Sequence, residues 1–223
     1  MWYYIPQGVS GTGKSTLAKS IADRLGFVFI DGDDQHPKSN IEKMSRGEAL
    51  NDQDRLPWLG HLREMGIRKL EEEVRHRCDQ SRGTVAAGED VGVLVACSSL
   101  KGFYRQILRG KLKVERAPEV HPGEIAYELR ELDEEASPSP PFPTYFVWIK
   151  GDKETVRERM LKRQNHFFKA KMLDGQFDTL EPPEGEPDVV VVPLEPPTEE
   201  QTDVALEGLR AIAGKESAPD PKS

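Results

Sequence analysis

The chain has 223 residues, in which 31 lysines and arginines stand against 39 aspartates and glutamates, giving a formal net charge of −8. This length suits one domain with an insertion. No run approaches the roughly 18 apolar residues of a membrane helix, and the acidic balance argues against nonspecific nucleic-acid binding. Cys78 and Cys97 lack the spacing of a disulfide framework or a zinc site. We therefore expect a cytoplasmic protein with neither a membrane nor a nucleic-acid partner.

Apolar strands alternate with amphipathic helices along most of the chain. The predicted strands cover residues 2–5, 27–30, 91–96, 145–149 and 189–192. The predicted helices cover residues 16–25, 37–45, 59–77, 99–109, 153–163 and 198–213. Gly26 is placed to end the first helix, and Ser99 is the expected N-cap of the fourth. This order predicts an α/β fold with a five-stranded parallel sheet and helices on both faces.

The stretch 110–143 interrupts this alternation. It is rich in acidic residues and ends in Ala-Ser-Pro-Ser-Pro-Pro-Phe-Pro, a composition that resists packing. We interpret it as a partly disordered surface insertion, with a short acidic helix over 123–135, inside a single domain that spans residues 1–213. Residues 214–223 are expected to form a disordered tail.

The strongest motif lies between the first strand and the first helix. Residues 8–15 read Gly-Val-Ser-Gly-Thr-Gly-Lys-Ser, which fits G-x-x-x-x-G-K-[ST] at every fixed position. Such a loop curls so that its N–H groups face a polyphosphate, and the helix that follows adds its positive dipole end. Lys14 is expected to reach the β and γ phosphates, and Ser15 to bind Mg²⁺. The predicted ATP-binding residues are Gly8, Val9, Ser10, Gly11, Thr12, Gly13, Lys14, Ser15 and Thr16.

Carboxylates after the second strand indicate the type of P-loop protein. Asp31 and Asp33 fall at the carboxyl edge of the predicted sheet, where ligands bind in doubly wound folds. The Asn-Lys-x-Asp motif of GTPases is absent, and the strand at 91–96 is followed by Cys97 rather than by an acid. This pattern favours a small-molecule kinase in which Asp31 helps to hold Mg²⁺ and Asp33 accepts the proton of the attacking hydroxyl. An Asx-type turn that caps the next helix is the structural alternative.

Six sequence blocks together resemble the P-loop gluconokinases. They are residues 8–16, 31–37, 40–44, 50–59, 96–101 and 163–169, the last of which continues through 172–182. The resemblance covers about residues 2–109 and 145–212. It implies ATP-dependent, Mg²⁺-dependent phosphorylation of D-gluconate to 6-phospho-D-gluconate. It also implies a nucleoside-monophosphate-kinase-like sheet with a mobile lid, and often a homodimer.

The resemblance assigns the remaining site residues. Asp33 is expected to contact the reacting hydroxyl, and Arg55 to bind the sugar-acid carboxylate, for which a guanidinium is suited. Arg159 and Arg163 are expected to close over the phosphates from the lid. The other predicted substrate-binding residues are His36, Ser98, Lys101, Arg105 and His166.

Structural alternatives stay open for most of these assignments. Arg55 would otherwise form a surface salt bridge with Asp52 or Asp54, and His36 would be merely structural. The basic residues after the third strand would otherwise form a solvated helix face, and the lid arginines would form helix ion pairs.

The chain departs from the family pattern at Pro6-Gln7, Ser99 and Gly175. Pro6 is unusual in a central strand, and it indicates either a short first strand or an altered start of the protein. Two rival functions also remain. A shikimate-type kinase shares the phosphate loop, although it would normally carry a Gly-Gly-Gly turn at 97–99, and a catalytically silent nucleotide sensor would retain the loop without turnover.

Overall fold

The computed structural model describes residues 1–80, 90–118, 125–132, 142–162 and 167–216, and five parallel strands form the central sheet of this part. In chain order the elements are β1 (Trp2–Gln7), α1 (Lys14–Leu25), β2 (Val28–Asp31), a 3₁₀ turn (Asp33–Gln35), α2 (Lys38–Ser45), α3 (Asp52–Gln80), β3 (Gly92–Ala96), α4 (Gly102–Arg109), β4 (Leu112–Arg116), β5 (Tyr127–Glu131), β6 (Thr144–Lys150), α5 (Lys153–Lys162), α6 (Phe167–Thr179), β7 (Val189–Pro193) and α7 (Thr198–Glu216).

The strand order of the main sheet is β2-β3-β1-β6-β7, and all pairs are parallel. Asp31 at the end of β2 is in register with Ala96 at the end of β3, and the Gly32 N–H donates to the Ala96 carbonyl at 2.9 Å. Because parallel strands end at one edge, the segments that follow β1, β2 and β3 are neighbours there. The predicted α/β class and the five-stranded parallel sheet are confirmed.

A hydrophobic core lies on each face of the sheet. Tyr4 of β1 packs in the core that includes α1 and α7, whereas Tyr3 and Ile5 pack in the core that includes α3 and α4. Successive side chains of a strand point to opposite faces, so a strand covered by helices on both sides is apolar throughout. Helices therefore cover both faces of the sheet, as predicted.

Strand β1 continues through Pro6 to Gln7, so the prediction that the strand would be short is wrong. Pro6 is in register with Val147, and its carbonyl accepts a hydrogen bond from the Cys97 N–H at 3.1 Å. Proline lacks only the donor. The sheet therefore accommodates it with one ladder bond fewer.

Helix α3 begins at Asp52, seven residues before the predicted start at 59. A reciprocal capping arrangement explains this start. The Asp54 N–H donates to Asn51 Oδ1 at 2.9 Å, and the Asn51 N–H donates to Asp54 Oδ2 at 2.7 Å. This is the geometry of a capping box, and it fixes the first turn of α3 at the sheet edge.

The insertion contains an antiparallel hairpin of β4 and β5, with Val114 opposite Leu129. The expected helix over 123–135 is wrong, because Tyr127–Glu131 is a strand. The side-chain amide of Gln53 donates to the Tyr127 carbonyl at 3.0 Å and accepts from the Tyr127 N–H at 2.8 Å. The hairpin is therefore docked on the first turn of α3, beside the predicted substrate residue Arg55.

The prediction of a disordered tail over residues 214–223 is wrong for its first three residues. Helix α7 extends to Glu216, so residues 214–216 belong to it, and 217–223 lie outside the described residues. In the described part of the chain, no helix is both long enough and apolar enough to cross a membrane.

Candidate active site

The phosphate loop has the curled backbone that its sequence predicts. Gly11 and Gly13 have φ angles of 87° and 91°, in the left-handed region that glycine tolerates best. Gly13 is the N-cap of α1, so the positive end of that helix adjoins the loop. The Val9 carbonyl accepts hydrogen bonds from Thr12 Oγ1 at 2.9 Å and from Lys14 Nζ at 3.1 Å. The loop therefore holds the lysine close to its own backbone.

Lys14 is buried, with 9% of its surface exposed. Burial lowers the pKa of the Lys14 ammonium, and the negative charges of Asp33 and Asp31 oppose this shift. The lysine and the two carboxylates therefore interact electrostatically at one edge of the sheet.

Cys97 directly follows β3 and is fully buried. Burial raises the pKa of its thiol to about 12, and the charges of Asp33, Lys14 and Arg55 all act on it as well. A thiol with so high a pKa is neutral and is not a nucleophile. The Cys97 N–H donates to the Pro6 carbonyl at 3.1 Å, which places Cys97 at the sheet edge from which the phosphate loop follows β1.

Asp31 and Asp33 are placed differently. Asp31 ends β2 and is half-buried, and its Oδ1 accepts a hydrogen bond from the Asp33 N–H at 3.1 Å. This is an Asx-type turn, but it does not cap the next helix as the structural alternative expects, because α2 has Pro37 as its N-cap and no side-chain cap. Asp33 itself begins the 3₁₀ turn with an exposed side chain. The turn therefore leaves the Asp33 carboxylate accessible.

His36 is buried and stacked on Trp58, with 4.0 Å between the ring centroids. Asn40 Nδ2 donates to the Asp54 carbonyl at 2.8 Å, which identifies it as the amide nitrogen, and the same atom lies 3.3 Å from His36 Nδ1. Nδ1 is therefore the acceptor, and the neutral ring carries its proton on Nε2. Burial lowers the pKa of His36 to about 4, against opposition from Asp33 and with help from Arg55. His36 is thus structural and is also a neutral hydrogen-bond donor.

We expect protein stability to fall as the pH drops from 6.5 to about 4, in part because of His36. The unfolded histidine takes up a proton near its ordinary pKa of 6.5, whereas the folded one resists until about 4. Thermal unfolding measured across this range by circular dichroism should therefore show a smaller decline for His36→Gln than for the unsubstituted chain. Parallel curves for the two proteins would contradict the buried, neutral histidine.

Arg55 does not form the salt bridges of the structural alternative. Asp52 is bonded to Lys101, and Asp54 to Lys43, while Arg55 Nε donates to the Leu50 carbonyl at 3.4 Å. Within the described residues, no carboxylate oxygen lies within ion-pair distance of the Arg55 guanidinium. The Arg55 guanidinium is therefore available for an anionic ligand. Its role in binding a carboxylate stays a prediction.

Lys101 is tied to a residue that the sequence analysis missed. Its Nζ lies 2.8 Å from both carboxylate oxygens of Asp52, and Tyr104 Oη donates to Asp52 Oδ1 at 2.5 Å. Burial acts to raise the pKa of Asp52, but these hydrogen bonds outweigh it and hold the pKa below its usual value. Lys101 is the N-cap of α4 and precedes the first helical residue, Gly102.

Arg105 belongs to a buried ion-pair network. Its side chain is 3% exposed, and it contacts Glu186 with Nε at 2.9 Å and the Glu181 carbonyl with Nη1 at 3.2 Å. Arg109 binds the same Glu186 as well as Asp188. The network ties α4 to the segment before β7. Since the Arg105 guanidinium is engaged by the protein, the geometry does not support its predicted contact with the substrate.

The prediction that Ser99 is the N-cap of α4 is wrong. Ser99 is a strained residue two positions before the actual N-cap, Lys101. Its backbone has a φ of 32°, and its Oγ donates to Gln7 Oε1 at 2.6 Å. Both side chains are buried, and Gln7 Nε2 has no hydrogen-bond partner among the described residues. Two departures from the family pattern, Gln7 and Ser99, therefore contact each other, and the neighbouring Ser98 is half-buried.

We expect Ser99→Ala to destabilise the protein and Gln7→Met to reverse that loss. The alanine leaves the buried Gln7 amide wholly unpaired, which costs about 1–3 kcal/mol, whereas replacing both partners with apolar groups is close to neutral. Urea unfolding of the two single variants and the double variant measures the coupling. Strictly additive changes in the free energy of unfolding would contradict it.

The lid residues are only partly described. Arg159 is half-exposed, and its Nη2 donates to the Glu195 carbonyl at 3.4 Å. Among the described residues, Arg159 forms no ion pair with Glu158 or Asp152: Glu158 lies 3.9 Å from Lys162, and Asp152 accepts a hydrogen bond from Thr155. Arg163 and His166 lie outside the described residues.

Phosphoryl transfer to a small molecule is the chemistry that this sheet edge supports, and it places the chain among the P-loop kinases. Proteins of related sequence identify the kind of P-loop kinase. The chain is 32% identical to a probable gluconokinase of Schizosaccharomyces pombe, over 98% of this chain and 93% of that protein. It is 36% identical to the thermoresistant gluconokinase of Escherichia coli K12, over 88% and 86% of the two chains. The chain therefore belongs to the gluconokinase family.

Solved structures agree with this assignment. The crystal structure of a gluconokinase from Sinorhizobium meliloti 1021 is similar with a TM-score of 0.68 and 33% identity, over 97% of each chain. An APS kinase from Mycobacterium tuberculosis, 15% identical with a TM-score of 0.55 over 93% and 96% of the chains, shares the fold alone. No protein-family model matches the sequence. The predicted P-loop fold and the family resemblance are both confirmed.

Proposed function

We propose that this chain transfers the γ-phosphoryl group of ATP to D-gluconate, giving ADP and 6-phospho-D-gluconate. The observation that carries the proposal is the phosphate loop with its buried Lys14, at the sheet edge where the turn that carries Asp33 meets the helix that carries Arg55, since Trp58 Nε1 of α3 donates to the Gly32 carbonyl at 2.8 Å. One cationic group for the phosphates, one carboxylate for the hydroxyl and one guanidinium for the acid are the groups that this reaction requires.

The residues fit ATP and Mg²⁺. The left-handed glycines of the phosphate loop and the start of α1 direct backbone N–H groups to one place, as a polyphosphate requires. Mg²⁺ prefers oxygen ligands and keeps several waters, so the Ser15 hydroxyl and the Asp31 carboxylate form a suitable donor set. When bound, the ion would neutralise charge on the phosphate oxygens. Ser15 and Thr16 also border an open groove of about 760 Å³ along α1 that reaches Thr198 and could hold the nucleoside.

Each side chain then has a defined task. Asp33 accepts the proton of the attacking hydroxyl, and Lys14 stabilises negative charge on the transferred group. Arg55 anchors the sugar-acid carboxylate, while His36 Nε2–H donates to a substrate hydroxyl. Ser98 and Lys101 line the substrate site on the side of β3. Arg159 and Arg163 bind the phosphates, and His166 binds the substrate.

The decisive experiment measures Mg²⁺-dependent ADP release with D-gluconate, shikimate and related sugar acids. Turnover of gluconate is the expected result. Turnover of shikimate without gluconate would replace this function with the shikimate-type one, and ATP binding without turnover of any acid would indicate a nucleotide sensor. A homodimer and a cytoplasmic location stay predictions, for which sedimentation and fractionation are the tests.

We expect Arg55→Met to raise the KM for gluconate by about 10- to 100-fold, since hydrogen bonds to a charged group contribute about 1.5–3 kcal/mol. The KM for ATP should stay constant. Arg68→Met, which changes an exposed arginine on the same helix, is the control and should leave both constants unaltered. A constant KM for gluconate in Arg55→Met would remove Arg55 from the acid site.

A further inference from the structure

One side chain of α6 is bound to the phosphate loop. Gln176 Oε1 accepts a hydrogen bond from the Ser10 N–H at 2.7 Å, and Gln176 Nε2 donates to Ser10 Oγ at 3.0 Å. The two residues are 166 positions apart in the chain. A single amide therefore satisfies both a backbone donor and a side-chain acceptor of one loop residue.

The chemistry of the pair fixes the orientation of the amide. A backbone N–H can only donate, so the amide atom that faces it must be the oxygen. The nitrogen then faces the Ser10 hydroxyl. Flipping the Gln176 amide would place its NH₂ group against the Ser10 N–H, so only the observed orientation satisfies both hydrogen bonds.

Helix α5 covers the neighbouring residue of the loop. A side chain at Gly11 would collide with Met160 and touch Val156. Val9, Val156, Met160 and Leu173 belong to the same buried cluster, so α5, α6 and the loop share one hydrophobic core. Inside the loop, the polar contacts of Thr12 and Lys14 converge on the Val9 carbonyl. The two hydrogen bonds between Gln176 and Ser10 thus add a polar contact between the loop and α6.

We propose that Gln176 is a positioning residue for phosphoryl transfer. It holds Ser10, and with it the turn at 11–13, in the conformation that presents backbone N–H groups to the phosphates of the nucleotide. The Ser10 N–H is already occupied by Gln176, so this amide acts through the loop and not on a phosphate. The inference rests on the proposed function only for its kinetic readout, because ATP affinity can be measured directly.

The test compares three variants of the full chain. Gln176→Met keeps the length of the side chain and removes both hydrogen bonds, Ser10→Ala removes only the bond from Nε2, and the double variant closes the cycle. Thr179→Ala is the matched control, since its hydroxyl donates to the Gly175 carbonyl of its own helix at 2.6 Å. ATP dissociation constants from calorimetry and KM values for both substrates are measured.

Gln176→Met should weaken ATP binding about tenfold and raise the KM for ATP by a similar factor, with the KM for gluconate unchanged. Ser10→Ala should have a smaller effect, and none when added to Gln176→Met. Thr179→Ala should match the unsubstituted chain. A lower melting temperature with unaltered ATP affinity in Gln176→Met would make the contact purely structural and overturn the inference.

Two further outcomes are decided by the same measurements. If Gln176→Met does not fold, Ser10→Ala alone decides, because unaltered ATP affinity in that variant overturns the inference and weakened affinity supports it. If the unsubstituted chain binds ATP but does not turn over gluconate, the proposed function fails. The ATP affinities of the variants would still decide the role of Gln176.

Discussion

Lys14→Ala should lower kcat/KM for gluconate phosphorylation by about 10²- to 10³-fold, the typical loss when one preorganised group that stabilises transition-state charge is removed. Lys14 is buried beside the loop backbone and is influenced by the charges of Asp33 and Asp31. A charge held in such a site stabilises developing negative charge more strongly than it would in water. Coupled measurement of ADP release at varied ATP and gluconate gives the ratio.

Stability separates this catalytic role from a structural one. The burial that lowers the pKa of Lys14 opposes its charge, so its removal relieves a desolvation penalty that offsets the packing lost. Lys14→Ala should therefore keep its melting temperature while losing activity. Lys69→Ala changes an exposed lysine of α3 that pairs with Glu72, and it should retain full activity. Comparable kcat/KM values for the two variants would refute the role of Lys14.

The sheet and the phosphate loop could be predicted because their signals are local. The glycines of residues 8–13 specify a curled backbone wherever they follow a strand and precede a helix. Apolar runs such as 91–96 specify buried strands, and Gly26 ends α1 with a φ of 68°, as expected. The start of α3 was also accessible from sequence, since Asn51 and Asp54 have capping-box spacing.

The partners of the site residues could not be predicted, because they are distant in sequence. Asp52 meets Lys101 across 49 positions, and Arg105 meets Glu186 across 81. Sequence supplies the charged residue types, but which carboxylate neutralises which arginine depends on the packing of α3, α4 and the segment before β7. This is why Arg105 was predicted to bind substrate when its guanidinium is committed to Glu186.

The hairpin was missed for a related reason. Acidic composition around 123–135 argues against a buried core, yet β5 is held by pairing with β4 and by the amide of Gln53, neither of which needs apolar residues. Composition therefore estimates burial well and backbone pairing poorly. The docking of this hairpin on the first turn of α3 also links the insertion to the segment that carries Arg55.

Asp33→Asn should lower kcat by about 10²- to 10⁴-fold, the usual contribution of a general base, while ATP still binds. The exchange keeps the shape of the side chain and removes its ability to accept a proton. Asp33 is exposed in the turn that follows β2, and its negative charge opposes the lowering of the pKa of both Lys14 and His36 by burial. Steady-state kinetics at saturating substrates and ATP titration together measure the change.

Asp34→Asn provides the matched control, because Asp34 is an exposed carboxylate in the same 3₁₀ turn. The two variants have equal net charge, so a difference between them reports position and not total charge. If both lost activity equally, the effect would be electrostatic at long range. If Asp33→Asn kept its kcat, the hydroxyl proton would have to leave by a route that does not involve this carboxylate. A large loss confined to Asp33 is therefore the result that assigns it the base.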